Sequence, residues 1–188
     1  MMIQIRLEEE KDYLLVEKIT KEAFDGLHGP GCDEHLIVHK LRKSACFIPN
    51  LSYVLEKDGQ VIGHIVFSKA KVIGDEEYEV ISFGPVSIIK NEQGKGYGTK
   101  LIQYGIDQAK QLGYKAIVIY GHPEYYPRFG FVNAEKFQIT TKDGQNFNAF
   151  MALELYEGAL DSIKGKFYED KVFQVDSSEL EAFNLKFL

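Results

Sequence analysis

One glycine-rich segment, set between two different apolar patterns, constrains the fold of this chain more than any other feature. The segment is Gln93-Gly94-Lys95-Gly96-Tyr97-Gly98-Thr99, with glycine at three alternate positions. An apolar run at 78–89 precedes it. A helical stripe with a spacing near 3.6 residues follows it, formed by Leu101, Ile102, Ile106, Ala109 and Leu112. The short apolar run at 116–120 is typical of a strand buried on both faces. Residues 78–120 are therefore predicted to form a strand–loop–helix–strand unit.

This segment has the properties of a loop that binds phosphate or pyrophosphate. Its glycines allow a ligand to approach the backbone closely, and the free N–H groups at the start of the next helix point towards it. The dinucleotide fingerprint G-x-G-x-x-G, started at Gly94, fails because position 99 is Thr99. A P-loop fails because Gly94-Lys95 is followed by Gly96 rather than by Ser or Thr. For an isolated G-x-G, a glycine-rich turn without a ligand is the simpler interpretation.

The N-terminal part of the chain predicts local, antiparallel strands and two helices. Residues 3–7 alternate apolar and polar side chains, as a half-buried strand does. A helical pattern follows from Asp12, which we expect to cap its start, and a second helix is predicted at 33–43. The apolar runs on either side of Asp58-Gly59 predict a hairpin. This order differs from the strict strand–helix alternation of a doubly wound parallel sheet.

The last third of the chain has less regular patterns. Residues 147–155 and 171–175 are predicted to be strands, and the Ser-Glu-Leu-Glu sequence at 178–181 predicts a capping box that starts a terminal helix. No repeat, low-complexity tract or linker separates these elements. We expect one domain at 1–155 and a C-terminal extension at 156–188 packed on the same domain.

Composition and charge exclude several classes of protein. With 45% hydrophobic residues, the chain has enough apolar mass for a core. Its 22 Lys and Arg against 28 Asp and Glu give a net charge of −6, which argues against a nucleic-acid partner. No apolar stretch approaches the roughly 20 residues that cross a bilayer. The acidic N-terminal residues argue against a signal peptide. We expect a cytoplasmic protein with neither a nucleic-acid nor a membrane partner.

Several further segments resemble one enzyme family. Gln93, Gly96 and Gly98 fill the fixed places of Q/R-x-x-G-x-G/A, the pyrophosphate signature of the GCN5-related N-acetyltransferases (GNAT). The segments 83–88 and 125–131 fall in the family's order, before and after this signature. The chain resembles the branch of predicted N-acetyltransferases in this superfamily, with motifs over about 82–131 and strand order over about 3–155.

The resemblance implies both a fold and an activity. The fold is α+β, a three-layer α/β/α arrangement whose central mixed, mostly antiparallel sheet is flanked by helices. The activity is an acetyl-CoA-dependent N-acetyltransferase, in which an amine attacks the acetyl group directly in a ternary complex. Acetyl-CoA is the acyl donor, no metal is expected, and the partner is a small-molecule or peptide amine. The resemblance to the family is the only ground for expecting a homodimer.

The resemblance also assigns roles to residues. The pantetheine arm pairs with Val86, Ser87 and Ile88, and the pyrophosphate binds at Gln93, Gly94, Lys95, Gly96, Tyr97, Gly98 and Thr99. Gly84-Pro85 marks a bulge that splays two strands, and a backbone N–H near Val86 faces the thioester carbonyl. Tyr126 matches the donor of a proton to the departing thiol, the alternative being that its ring only packs against pantetheine.

The amine has to lose a proton before it attacks, and the sequence offers three candidate bases. These are His64, Glu79 and His122, each of which is also an ordinary structural or surface residue, so none is assigned. The resemblance places the acceptor beside the glycine-rich loop at 26–31, with pocket residues Phe24, His28, His35 and Phe83.

Two other interpretations stay open at this point. His28, Cys32, His35 and His39 invite a metal site, but their spacing is not a standard zinc pattern. A catalytically silent CoA-binding module would keep the glycine loop and need no acid, and an enzyme for another acyl group or acceptor would share the donor site.

Overall fold

The computed structural model describes residues 1–188 and contains nine strands and four α-helices. The strands are β1 (Ile3–Leu7), β2 (Phe47–Lys57), β3 (Gln60–Ile73), β4 (Glu77–Ile88), β5 (Ala116–Tyr120), β6 (Val132–Asn133), β7 (Ile139–Thr141), β8 (Phe150–Glu154) and β9 (Gly165–Tyr168). The helices are α1 (Tyr13–Phe24), α2 (Glu34–Leu41), α3 (Tyr97–Gln111) and α4 (Ser177–Asn184). None of the four helices combines the length and the apolar character that a membrane span requires.

All nine strands belong to one mixed sheet. Its order is β1-β2-β3-β4-β5-β8-β6, with β9 pairing to β3 and β7. The pairs β1–β2, β3–β9, β5–β8 and β6–β8 are antiparallel, whereas β4–β5 and β7–β9 are parallel. A mixed, mostly antiparallel sheet flanked by four helices confirms the predicted α+β fold.

The turn between β2 and β3 follows from its two residues. Asp58 has φ +50° and Gly59 has φ +82°. Positive φ at both central positions is typical of the type I′ turn, whose twist matches that of the flanking strands. The hairpin predicted from Asp-Gly is confirmed.

The chain is organised in two compact units. The first comprises residues 1–67, 84–105 and 171–188, and the second comprises 68–83 and 106–170. The segment predicted as a C-terminal extension is therefore divided, with its helical end in the first unit and β9 in the second.

Three layers are visible within the first unit. On one face of the sheet, α1 and α2 bury a cluster that includes Val16, Leu41 and Val54. Because side chains alternate along a strand, the neighbouring Tyr53 faces the other side, where its ring lies 5.0 Å from that of Tyr104 in α3. Helix α3 thus covers the face opposite α1 and α2.

The second unit has a core of its own. Strands β3, β4, β5, β8 and β9 contribute to it, together with the segments 134–139 and 160–163. Phe150 and Phe167 lie at its centre, with ring centroids 5.8 Å apart and almost no exposed surface.

Three local predictions need correction. Asp12 precedes α1 but does not cap it, because its carboxylate accepts the N–H of Glu9 and two bonds from Arg6, at 2.7 and 2.9 Å. The predicted strand at 171–175 is wrong, since Lys171–Phe173 is a 3-10 helix. The cap of α4 is not the expected capping box, because Asp176 accepts the N–H groups of the first turn.

Candidate functional site

The glycine-rich segment forms an open turn that leads directly into α3. Gly94 has φ +73° and Gly96 has φ +84°, backbone conformations that residues with a side chain rarely adopt. A Cβ built on either glycine meets nothing within 4 Å. The carbonyl of Gly96 accepts the N–H of Lys100 at 3.1 Å, so Gly96 marks the start of the helix. The first N–H groups of α3 have no acceptor inside the helix, which makes this turn suited to an anion.

Side chains within the segment hold this turn in place. The Gln93 amide donates to the carbonyl of Ile88 at 2.9 Å and so ties the turn to the end of β4. Lys95 donates to the carbonyl of Asn91 at 2.8 Å and pairs with Glu92 at 3.1 Å. Glu92 also pairs with a lysine of β2 at 2.8 Å. The side chain of Gln93 therefore holds the loop in its conformation, and the loop is expected to bind a ligand through its backbone.

The strand before the loop is fixed through Ser87. Its hydroxyl is buried and lies 3.2 Å from the hydroxyl of Thr20 in α1. Upstream, Gly84 has φ +138°. The parallel pairing of β4 with β5 is made at Ile81 and Ile117 alone, whereas β5 pairs with β8 over its full length. The limited pairing of β4 with β5 is consistent with the splay expected near Gly84-Pro85.

Tyr126 lies in the second unit, in an aromatic setting. It begins a 3-10 helix, and its ring centroid is 5.9 Å from that of Phe83 and 5.8 Å from that of Phe131. The absence of a side chain at Gly121 makes room for the Tyr126 ring, because a Cβ at position 121 would overlap that ring. Burial, with a smaller effect of Tyr125, raises the pKa of Tyr126 to about 12. The phenol is therefore protonated at neutral pH.

The three candidate bases have very different surroundings. His64 has no exposed surface, and its Nε2 lies 3.2 Å from Ser52 Oγ and 3.4 Å from a carboxylate oxygen of Glu8. Glu79 and His122 are exposed, on β4 and after β5. Since His64 is enclosed in a buried polar network, the exposed pair has the solvent access that a base needs.

Glu8 is the central carboxylate of that buried network. It pairs with Arg42 at 2.5 Å and accepts the Ser52 hydroxyl at 2.9 Å. Burial opposes its ionisation, but His64 and Arg42 outweigh burial and lower the pKa of Glu8 to about 2. The network therefore holds a charged carboxylate among the side chains of Arg42, Ser52 and His64.

Two of the four His and Cys residues in the metal interpretation lie next to each other, with 3.7 Å between Cys32 Sγ and His35 Nδ1. His35 has no exposed surface, and its Nε2 lies 2.7 Å from Asn184 Oδ1. His39 Nδ1 lies 2.8 Å from Glu17. Burial raises the pKa of the Cys32 thiol to about 11, so it stays protonated at neutral pH. No group of three or more His, Cys, Asp or Glu residues is arranged to hold a metal ion.

A cavity of about 320 Å³ lies beside the predicted acceptor loop, within the first unit. It is lined by Phe24, His28, Pro30, Gly31, Cys32, Asp33, Glu34, Leu180 and Asn184. Of the predicted pocket residues, Phe24 and His28 line it, whereas His35 is buried against Asn184. Phe83 instead contacts Tyr126 in the second unit.

Sequence reasoning missed Leu180 and Asn184. Both lie on α4 at a spacing of one helical turn, so they share a face. This spacing predicts that one face of α4 is directed inwards, but it does not identify the distant segment that the face contacts.

Known proteins resemble this chain in both sequence and structure. The model of the acetyltransferase (GNAT) family matches residues 15–131. The uncharacterized N-acetyltransferase YhbS of Escherichia coli K12 is 30% identical over 132 residues, which is 70% of this chain and 78% of that protein.

Two solved structures are similar over nearly the whole chain. The crystal structure of YhbS from Escherichia coli in complex with CoA has a TM-score of 0.82 and 27% identity, and the match covers 92% of each chain. A GNAT family acetyltransferase from Brucella melitensis in complex with acetyl-CoA has a TM-score of 0.75 and 31% identity, covering 92% of this chain and 99% of that one. With its sheet, its glycine loop and these relatives, the chain belongs to the GNAT family and is an acetyltransferase.

Proposed function

We propose that the protein is an acetyl-CoA-dependent N-acetyltransferase that acts on an amine in a ternary complex. The observation that carries this proposal is the turn at Gly94 and Gly96, which has open space above both glycines and the N-terminus of α3 behind it. A pyrophosphate fits such a place, because backbone N–H groups and the helix dipole both favour an anion. The two similar structures that contain CoA or acetyl-CoA support the same assignment.

In this proposal, the chain binds the donor mainly through its backbone. Val86, Ser87 and Ile88 pair with the pantetheine arm as an additional strand would, and the segment 93–99 holds the pyrophosphate. The buried contact of Ser87 with Thr20 keeps that strand in position. When bound, acetyl-CoA supplies its acetyl group as a thioester that an amine attacks directly. A backbone N–H near Val86 would donate a hydrogen bond to the carbonyl oxygen of that acetyl group as negative charge develops on it.

Tyr126 assists the departure of the thiolate. Its pKa of about 12 lies well above the roughly 8.5 of a thiol, so full proton transfer to the sulfur is uphill. The phenol therefore acts first as a hydrogen-bond donor to the sulfur, and it keeps its proton at neutral pH. The ring contacts with Phe83 and Phe131 fix its direction.

The acceptor is a small-molecule or peptide amine that enters beside the loop at 26–31. The cavity there is partly apolar, through Phe24 and Leu180, and partly acidic, through Asp33 and Glu34. Such a lining accommodates the carbon chain and the positive charge of an amine.

A screen for thiol release from acetyl-CoA, run against a panel of amines, tests this function. We expect turnover with at least one primary amine and a mass increase of one acetyl group in the product. Tight CoA binding without thiol release on any amine or alcohol would instead identify a catalytically silent CoA-binding module. Release with a different acyl-CoA or with an alcohol would redefine the substrate class.

A further inference from the structure

The cavity beside the 26–31 loop has two carboxylates in its lining. They belong to Asp33 and Glu34, and the lining also includes His28 but neither Lys nor Arg. Glu34 has a local role, since its carboxylate accepts the N–H of Asp33 at 3.1 Å. The Asp33 carboxylate makes no capping hydrogen bond at the start of α2, and no basic side chain pairs with it. A carboxylate with no partner in a cavity wall favours a cationic ligand.

Lysines on the surrounding elements are bound elsewhere. Their ion pairs join Lys21 to Asp25 at 3.9 Å, Lys40 to Glu179 at 2.9 Å and Lys186 to Glu17 at 3.3 Å. The Lys21 ammonium also opposes the rise in the pKa of the Cys32 thiol, so it acts on the cavity lining. None of these lysines forms an ion pair with Asp33 or Glu34, and these two carboxylates are left to pair with a ligand.

Helix α4 forms a fixed wall of this cavity. Asn184 is held by the buried ring of His35 at 2.7 Å. The same ring lies 5.5 Å from that of Phe183 and 5.4 Å from that of Phe187. These contacts hold the exposed edge of the helix, with Leu180, against the start of α2.

The cavity lies about one helical turn from the strand proposed to bind pantetheine. Thr20 in α1 contacts Ser87 of that strand, at 3.2 Å between the two hydroxyls. Phe24 is four residues further along α1, about 6 Å along the helix axis, and it lines the cavity. The cavity and the strand are therefore both in contact with α1, at positions whose separation along the helix is in the range of a short carbon chain.

The chemistry of transfer separates two kinds of nitrogen. The attacking nitrogen has to be uncharged, because its lone pair forms the new C–N bond while the C–S bond breaks and one proton passes overall from nitrogen to sulfur. A nitrogen beside Asp33 and Glu34 is instead stabilised as the ammonium form. One nitrogen cannot serve both purposes.

We propose, building on the function above, that this cavity binds a second, non-reacting ammonium group of the acceptor. The preferred acceptors are then small diamines or polyamines, with the carbon chain against Phe24 and Leu180 and the charged end at Asp33. Leu180 and Asn184 of α4 determine the size of acceptor that fits. The volume of about 320 Å³ suits a small molecule.

The test compares 1,5-diaminopentane with 1-aminopentane as acceptors for the same enzyme. We expect the diamine to have a kcat/KM at least tenfold higher, since a charge-assisted hydrogen bond contributes that much. Asp33→Asn should bring this ratio close to one by lowering kcat/KM for the diamine far more than for the monoamine. Leu180→Trp should narrow the cavity and raise KM for the longer diamines most.

Glu22→Gln serves as the matched control, because Glu22 is an exposed carboxylate of α1 that does not line the cavity. It removes one negative charge and should leave the ratio unchanged. Equal kcat/KM for both amines in the unaltered enzyme would overturn the proposal, and so would a diamine preference that persists in Asp33→Asn. Acetylation of peptides without any diamine preference would overturn it as well.

A binding measurement separates this proposal from the proposed function. Calorimetry with 1,5-diaminopentane and the CoA-loaded protein should show binding that Asp33→Asn weakens at least tenfold. Diamine binding without turnover would support the cavity and contradict the transferase activity. Turnover of monoamines without diamine binding would support the transferase activity and contradict the proposed role of the cavity.

Discussion

The hydroxyls of Thr20 and Ser87 lie 3.2 Å apart, and both side chains are almost completely buried. This contact joins α1, which leads to the acceptor loop, to the strand proposed to bind pantetheine. Thr20 also donates to the carbonyl of Val16 at 2.8 Å. The two proposed substrate sites thus share one buried polar contact in the first unit.

Thr20→Val should weaken both stability and donor binding. The substitution keeps the shape of the side chain but leaves the buried Ser87 hydroxyl without this partner, at a cost of about 1–3 kcal/mol. Urea denaturation should show the lower free energy of unfolding, and calorimetry should show a higher Kd for CoA. Thr20→Ser keeps the hydroxyl and should retain the Kd. An unchanged free energy of unfolding in Thr20→Val would mean that the contact between Thr20 and Ser87 contributes nothing to stability.

The segment around the glycine loop could be predicted well from sequence, because its signals are local. The predicted unit at 78–120 matches β4, α3 and β5, since each has a clear period and glycines mark the turn. Gly113, at φ +83°, ends α3 as a glycine C-cap does. The periodicity of a strand or a helix can be recognised in the sequence without any knowledge of distant contacts.

The C-terminal segment could not be predicted in the same way. Its apolar residues Phe173 and Val175 suggest a strand, but they pack against the cluster under α1 and α2 instead. Asn184 reaches His35 across 149 positions of sequence. Such tertiary contacts override local propensity and leave no periodic signal, which is why α4 was missed as a cavity wall.

Gly96→Val should abolish binding of CoA. The site has φ +84°, which a β-branched residue adopts only with strain, and the new side chain would occupy the open space above the loop. Calorimetry should show at least a hundredfold rise in Kd.

The matched control is Gly59→Val in the β2–β3 turn, where φ is +82° and the space is equally open. It imposes a similar strain away from the loop, so it should lower stability without changing the Kd for CoA. An unchanged Kd in Gly96→Val would remove the basis for a pyrophosphate site.

Tyr126→Phe should slow turnover by about a hundredfold while CoA affinity stays the same. The ring and its contacts with Phe83 and Phe131 are kept, and only the hydrogen-bond donor is removed. Steady-state thiol release on a verified acceptor measures the effect. Tyr125→Phe, at the adjacent position, is the control and should turn over normally. Normal turnover in Tyr126→Phe would make Tyr126 a packing residue.

Acid should destabilise the first unit through Glu8. The pKa of Glu8 is lowered to about 2, so the ionised carboxylate stabilises the fold above its unfolded pKa, near 4.5, and this contribution is lost as pH falls towards 2. Glu8→Gln should lower the free energy of unfolding at pH 7 by about 3 kcal/mol. It should also flatten the dependence on pH between 4.5 and 2. Glu10→Gln, at an exposed position, is the control and should change neither quantity.

Deleting residues 27–30, and so shortening the acceptor loop, should raise KM for the amine about tenfold and leave acetyl-CoA binding nearly intact. The loop follows α1, and Gly26, Gly29 and Gly31 have φ between +82° and +120° with open space around them. It is therefore not a packed element of the core and can move over a ligand in the cavity beside it. Steady-state kinetics with each substrate varied in turn separates the two effects. Pro30→Ala keeps the length of the loop and should retain KM for both substrates within a few-fold. A deletion that weakened both substrates equally would mean that the loop supports the fold, and the acceptor would then have to enter elsewhere.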